Sequence, residues 1–98
     1  MIYLIATLRI KPGSLAAVTA AVKPCLEATR REAGCVSYDL HADVTDPEAL
    51  VFVERWETRE ALAAHFTTPH LQAWREAGGP HIVSRKIEII HPDRVETL

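Results

Sequence analysis

Residues 2–10, IYLIATLRI, alternate between an all-apolar set (Ile2, Leu4, Ala6, Leu8, Ile10) and a mixed set (Tyr3, Ile5, Thr7, Arg9). A period of two predicts a strand, here one covered on both faces, with the mixed face meeting something partly polar. KPGS at 11–14 breaks the pattern, and Ser14 is placed to cap a following helix. From 15 to 33 the apolar positions take helical spacing: Leu15, Val18, Val22, Cys25, Leu26 and Thr29. Pro24 lies inside that stripe. It removes a backbone donor and crowds the preceding turn, so a kink or break is expected there, with Gly34 ending the helix.

Strict alternation returns in CVSYDLHAD (35–43), with Val36, Tyr38, Leu40 and Ala42 on one face and Cys35, Ser37, Asp39 and His41 on the other. VTDPEA reads as a turn, and LVFVERWE (50–57) as the second arm of a hairpin. Leu50, Phe52, Glu54 and Trp56 share one face of that arm. Thr58 caps a second helix, REALAAHF, whose inward positions are Leu62, His65 and Phe66. Thr68 and Pro69 restart a helix with Leu71, Trp74 and Ala77 on its apolar stripe. GGP at 78–80 stops it, and SRKIEIIHP (84–92) is the last strand.

The order βαββαβ, with a central hairpin and right-handed crossovers, predicts an α+β ferredoxin-like domain spanning residues 1–98. Its four-stranded antiparallel sheet carries helices on one face. The other face still holds apolar residues, so it is expected to be buried by a second copy of the chain, closing a homodimer.

Composition narrows the classes. A chain of 98 residues suits one domain, and a compact monomer of this mass exposes about 5,600 Å². The net charge is −2 and the charges are interspersed, with no basic stripe for nucleic acid. No apolar run reaches membrane-spanning length. MIYLIATLRI lacks a basic n-region and a cleavage site, so it reads as a strand, and the cytoplasm is the default location. Cys25 and Cys35 form no CxxC and read as small buried or half-buried thiols. No three ligands stand at metal-binding spacing, so no metal site is expected.

The run GCVSYDLHAD…DP…LVFVERWETREALAAHFTTPHLQAW, from Gly34 to Trp74, resembles the antibiotic biosynthesis monooxygenase family, and within it the small quinol monooxygenase-like members. The resemblance implies a dimeric α+β barrel with a pocket between sheet and helices in each subunit. Family members include cofactor-free oxygenases of hydroquinones or anthrone-type polyphenols, haem-degrading enzymes, and isomerases of a small phosphorylated sugar. The haem-degrading branch is similar in an asparagine on the first strand and a histidine late in the second helical region. Thr7 and Trp74 stand at those places here.

A cofactor-free oxygenase needs a base near neutrality, donors for the resulting anion, and a dry apolar pocket. His65 is the best candidate base because it shares the inward face with Leu62 and Phe66. Glu54, on the strand leading into this helix, is the expected carboxylate partner raising its basicity. The competing reading of His65 is a core histidine bonded to a backbone carbonyl or water. Tyr38, Phe52, Trp56, Phe66, His70, Trp74, Thr7 and Arg9 are the candidate substrate contacts. Arg9 would stabilise an anion or pair with Glu54 or Asp39. The expected substrates are a small aromatic hydroquinone and O₂. The same His–Glu pair would serve an isomerase, and a non-catalytic dimeric ligand-binding module is the third reading.

Overall fold

The computed structural model describes every residue, Met1–Leu98. Its elements are β1 (Ile2–Ile10), α1 (Leu15–Thr29), β2 (Cys35–Asp43), β3 (Asp46–Trp56), α2 (Arg59–His65), α3 (Pro69–Gly78), a 3-10 turn (Gly79–His81) and β4 (Ile82–Ile90). The sheet order is β2-β3-β1-β4 and every neighbouring pair is antiparallel. This is the ferredoxin-like α+β arrangement. The shortest dimension of the molecule is 19 Å, the thickness of one sheet and one helix layer.

The alternation in β1 sorts its faces as read from the sequence. Leu4, Ala6, Leu8 and Ile10 are buried beneath the helices, while Thr7 and Arg9 are exposed on the open side. Tyr38 of β2, Leu50, Phe52 and Trp56 of β3, Val18, Val22 and Cys25 of α1, Leu62 of α2 and Leu71 and Trp74 of α3 complete the core. The chain exposes 6,146 Å², about a tenth more than a compact monomer of this mass.

Several local features depart from the sequence pattern. Helix α1 runs unbroken through Pro24, which lies on its exposed side. There the orphaned carbonyl one turn back can reach water, so no break is forced. The helix ends at Thr29, earlier than Gly34, and turns through Arg31 and Glu32 on bonds to the carbonyls of Ala28 and Thr29. Gly34 instead supplies a positive φ of 81° just before β2. Its α-carbon faces α2 so closely that a β-carbon there would lie 2.6 Å from that of Ala61.

The register shifts between Cys35 and Ser37, leaving Val36 as the extra residue of a bulge. Val36 is therefore exposed and Cys35 packs against the core, the reverse of simple alternation. The hairpin turn is only Val44–Thr45, held by Asp43 Oδ1, which accepts from Thr45 N at 2.8 Å and Oγ1 at 2.7 Å. Strand β3 consequently starts at Asp46, and Pro47 lies in the irregular stretch where the β2 register shifts, a position that needs no ladder donor.

Of the expected caps, Thr58 Oγ1 accepts from Ala61 N at 3.1 Å. Ser14 and Thr68 do not cap through their side chains; each hydroxyl donates backward, to Lys11 O and His65 O respectively. No helix is long and apolar enough to cross a membrane.

Candidate functional site

A cavity of about 60 Å³ lies between the sheet and the α2–α3 corner. Its floor is Leu4, Ala6 and Leu8 of β1, with Tyr38, Phe52 and Glu54 beside them on the same sheet face. The helices contribute His65, Phe66, Leu71, Trp74 and Arg75, and β4 contributes Ile82, Arg85 and Ile87. The alternation that builds the core thus points a carboxyl, a phenol ring and an imidazole into one apolar space.

His65 is buried, with 2% of its side chain accessible. Its ring sits 4.9 Å from the Trp56 ring and 5.2 Å from that of Tyr38. The expected partner, Glu54, does not bond it. Instead His65 Nδ1 donates to Oε2 of Glu32 at 2.7 Å, and His70 Nε2 donates to the same oxygen at 2.7 Å. Glu32 sits in the turn after α1, fixed by backbone bonds on both sides of it. Two aromatic rings and this carboxylate set the imidazole's orientation and tautomer. Nε2 has no protein partner, yet no buried side-chain nitrogen or oxygen in the chain lacks one. The accessible sliver of His65 therefore includes Nε2, on the cavity.

Burial pushes the His65 pKa below its ordinary value. Glu32 opposes that shift, and the neighbouring His70 and Arg75 add to it. The imidazole is thus neutral near pH 7, with a free lone pair on Nε2.

Glu54 has a different role from the expected one. Its Oε1 accepts from Trp56 Nε1 at 3.0 Å. Burial pushes its pKa up to about 7, only partly offset by that bond. Nothing else in the protein neutralises it, so near pH 7 it is divided between acid and carboxylate.

The remaining candidates separate. Tyr38, Phe52, Phe66 and Trp74 line the cavity, with Phe52 and Trp74 edge to face at 6.0 Å. The Tyr38 hydroxyl, however, lies against Cys25 Sγ at 3.7 Å, and burial holds its proton firmly. It is committed to the core and contributes its ring edge to the cavity.

Trp56 is fully buried behind His65 and does not line the space. His70 stands outside the lining, on Glu32. Thr7 and Arg9 lie on the opposite face of the sheet, and Arg9 pairs with Asp46 at 2.9 Å and Glu48 at 3.9 Å, not with Glu54 or Asp39. They fall outside because β1 directs its odd-numbered side chains away from the helices.

Glu32, Arg75 and Arg85 were missed in the sequence. The TRREAG segment has the look of a polar turn, and nothing local ties Glu32 to residues 33 and 38 positions away. Arg85 was open to detection, since it alternates with Ile87 and Ile89 on the face that pairs with Leu8, Ala6 and Leu4.

Glu32, His65 and His70 also bring three ligand atoms within 4.8 Å of one another. Two histidines and a carboxylate form a donor set suited to a divalent transition ion. No spacing along the chain announces it. The same nitrogen positions carry the two hydrogen bonds to Glu32, so a metal would have to displace both protons. Cys25 and Cys35 are free, and burial raises both thiols, Cys35 to about 11.

A profile of antibiotic biosynthesis monooxygenases matches residues 1–77. The chain belongs to the antibiotic biosynthesis monooxygenase family. It is 31% identical to the probable quinol monooxygenase YgiN of Escherichia coli, over 94% of this chain and 98% of YgiN. An uncharacterized protein of Synechocystis, sll1783, is 32% identical over 84% of this chain, which spans only 55% of that longer protein. Among solved structures, Rv0793 from Mycobacterium tuberculosis superposes with a TM-score of 0.87 at 28% identity, covering 98% of both chains. The family resemblance read from Gly34–Trp74 thus extends through β1 and α1, and the fold is shared end to end.

Proposed function

We propose that this member of the family is a cofactor-independent monooxygenase of a small aromatic hydroquinone or polyphenol. The observation that carries the reading is the free Nε2 of His65 facing an apolar aromatic cavity while Nδ1 donates to Glu32. In this mechanism Nε2 takes the proton of a substrate hydroxyl, and the imidazolium formed is stabilised by the Glu32 carboxylate. The electron-rich anion transfers one electron to O₂, and the radical pair joins in a carbon–oxygen bond. The resulting peroxide anion takes a proton to become a hydroperoxide, and loss of the hydrogen on that carbon together with the outer oxygen, as water, leaves a carbonyl. One oxygen atom enters the product and the other leaves as water. Glu54, near its midpoint at pH 7, is suited to supply the proton for that loss. The name of the YgiN relative supports a quinol substrate.

The test is oxygen uptake with a panel of hydroquinones in the presence of a chelator. His65→Ala is expected to lose about 10²- to 10⁴-fold in rate. Equal rates in wild type and variant, or no uptake by either across the panel, reject the mechanism. Two groups able to exchange protons near neutrality on one cavity also suit an isomerase. Turnover that proceeds without oxygen would select that reading.

A homodimer closed over the open sheet face is part of the proposal. Ile5, Val51 and Val53 lie half-buried on that face, and the surface in excess of a compact monomer supports it. A monomeric mass by sedimentation at micromolar concentration would reject it.

A further inference from the structure

The rim of the cavity carries two guanidiniums that the proposed chemistry does not use. Arg75 follows Trp74 on α3, and Arg85 stands on β4 opposite Leu8, on the helix side of the sheet. Neither makes a hydrogen bond or ion pair with the protein, and of the arginines without a carboxylate they alone line the cavity. The nearby acids are engaged elsewhere. Glu76 accepts from Gln72 at 3.1 Å, and Glu88 lies beside Lys86, with which it alternates onto the open face. The one carboxyl inside the cavity, Glu54, is only partly ionised near neutrality. A chain of net charge −2 thus keeps two uncompensated cations on one rim.

Size adds a second constraint. About 60 Å³ is room for some four or five waters, less than an aromatic ring with its substituents. A ring entering edge-first leaves its far side at the mouth, between α3 and β4, where the two arginines stand. Planar guanidiniums hold carboxylate and phosphate oxygens through paired N–H donors.

We propose that Arg75 and Arg85 form an anion clamp, so that the substrate is an aromatic diol bearing a carboxylate or phosphate group at the end opposite the hydroxyl that reaches His65. The hydroxyl's fate rests on the monooxygenase reading; the clamp does not.

The test is calorimetric binding without oxygen, where no turnover occurs. The ligands are catechol, 3,4-dihydroxybenzoate and 3,4-dihydroxyphenyl phosphate, the last two carrying the anionic group opposite one hydroxyl. At low salt the anionic ligands are expected to bind about 10- to 100-fold more tightly than catechol. Whichever of the two leads identifies the natural group as a carboxylate or a phosphate ester. In the Arg75→Gln/Arg85→Gln protein the preference is expected to fall to within about threefold, each single change giving part of the loss. Lys11→Gln, which removes a positive charge outside the cavity lining, should retain it. Both arginines are exposed, so the variants should fold, and circular dichroism checks this.

Equal binding of neutral and anionic ligands, a preference that survives the double change, or no binding of either anion at millimolar concentration overturns the clamp. If the preference holds but no ligand supports oxygen uptake, the clamp stands and the monooxygenase reading falls.

Discussion

Replacing Glu54 by Gln should stabilise the protein, and only above mildly acidic pH. Glu54 is 4% exposed, and burial raises its pKa to about 7. In the unfolded chain a glutamate titrates near 4.3. Between those values the folded state holds a proton that the unfolded state releases. Stability therefore falls as pH rises through this window, and is fully retained below it. A difference of two to three pH units at about 1.4 kcal/mol each comes to about 3 kcal/mol.

Gln keeps an acceptor for Trp56 Nε1 and removes the titration. The assay is urea denaturation of both proteins from pH 4 to 8.5. The midpoint gap between variant and wild type should grow by about 2–3 M between pH 4 and 8, taking an m-value of about 1 kcal/mol/M. His65, with its lowered pKa, contributes stability of the opposite sign, present above about pH 6.5 and lost below it. That contribution is common to both proteins and cancels in the gap. Parallel profiles for the two proteins, or a gap that widens toward acid, would refute the reasoning.

Glu32→Gln should lower kcat/KM for the preferred hydroquinone by about 10- to 100-fold and move the acid limb of its pH profile downward, because the carboxylate that raises the His65 pKa is gone; a limb that stays in place would assign Glu32 to structure alone. Gly34→Ala combines a positive φ with a 2.6 Å approach to the Ala61 β-carbon, and should cost about 2 kcal/mol or more in chemical denaturation. Pro24→Ala should stabilise the protein by about 1–3 kcal/mol, since it restores a helical donor at an exposed position without altering the core; a lower melting temperature would contradict this.

Those residues also mark how far a sequence reading carries. The strands, the two-helix corner and the inward direction of His65 were legible because each is written in a local period of two or 3.6. Pro24 misled because the cost of a proline depends on which side of the helix faces water, a tertiary fact. Val36 misled because a single inserted residue reverses the alternation while leaving the composition unchanged. The site was legible only as far as its own elements reached. His65, Tyr38, Phe52, Phe66 and Trp74 announced an apolar wall. The partner of His65 lies across the fold in a polar turn, and the sequence neighbour Glu54 was the plausible but incorrect choice.

The cavity mouth is framed on one side by β4, and β4 is an edge strand with β1 as its single neighbour. This divides the site into a half built into the core and a half carried on a sheet edge. His65, its bond to Glu32 and the surrounding aromatic side chains are tied into the core, where most substitutions disturb folding. Ile82, Arg85 and Ile87 sit on a strand that can change its side chains, or bend at the irregularity opposite Arg9 and Ile10, without unpairing the other three strands. Changes of side chain on β4 can therefore reshape the cavity mouth while leaving His65, Glu32 and Glu54 where they are.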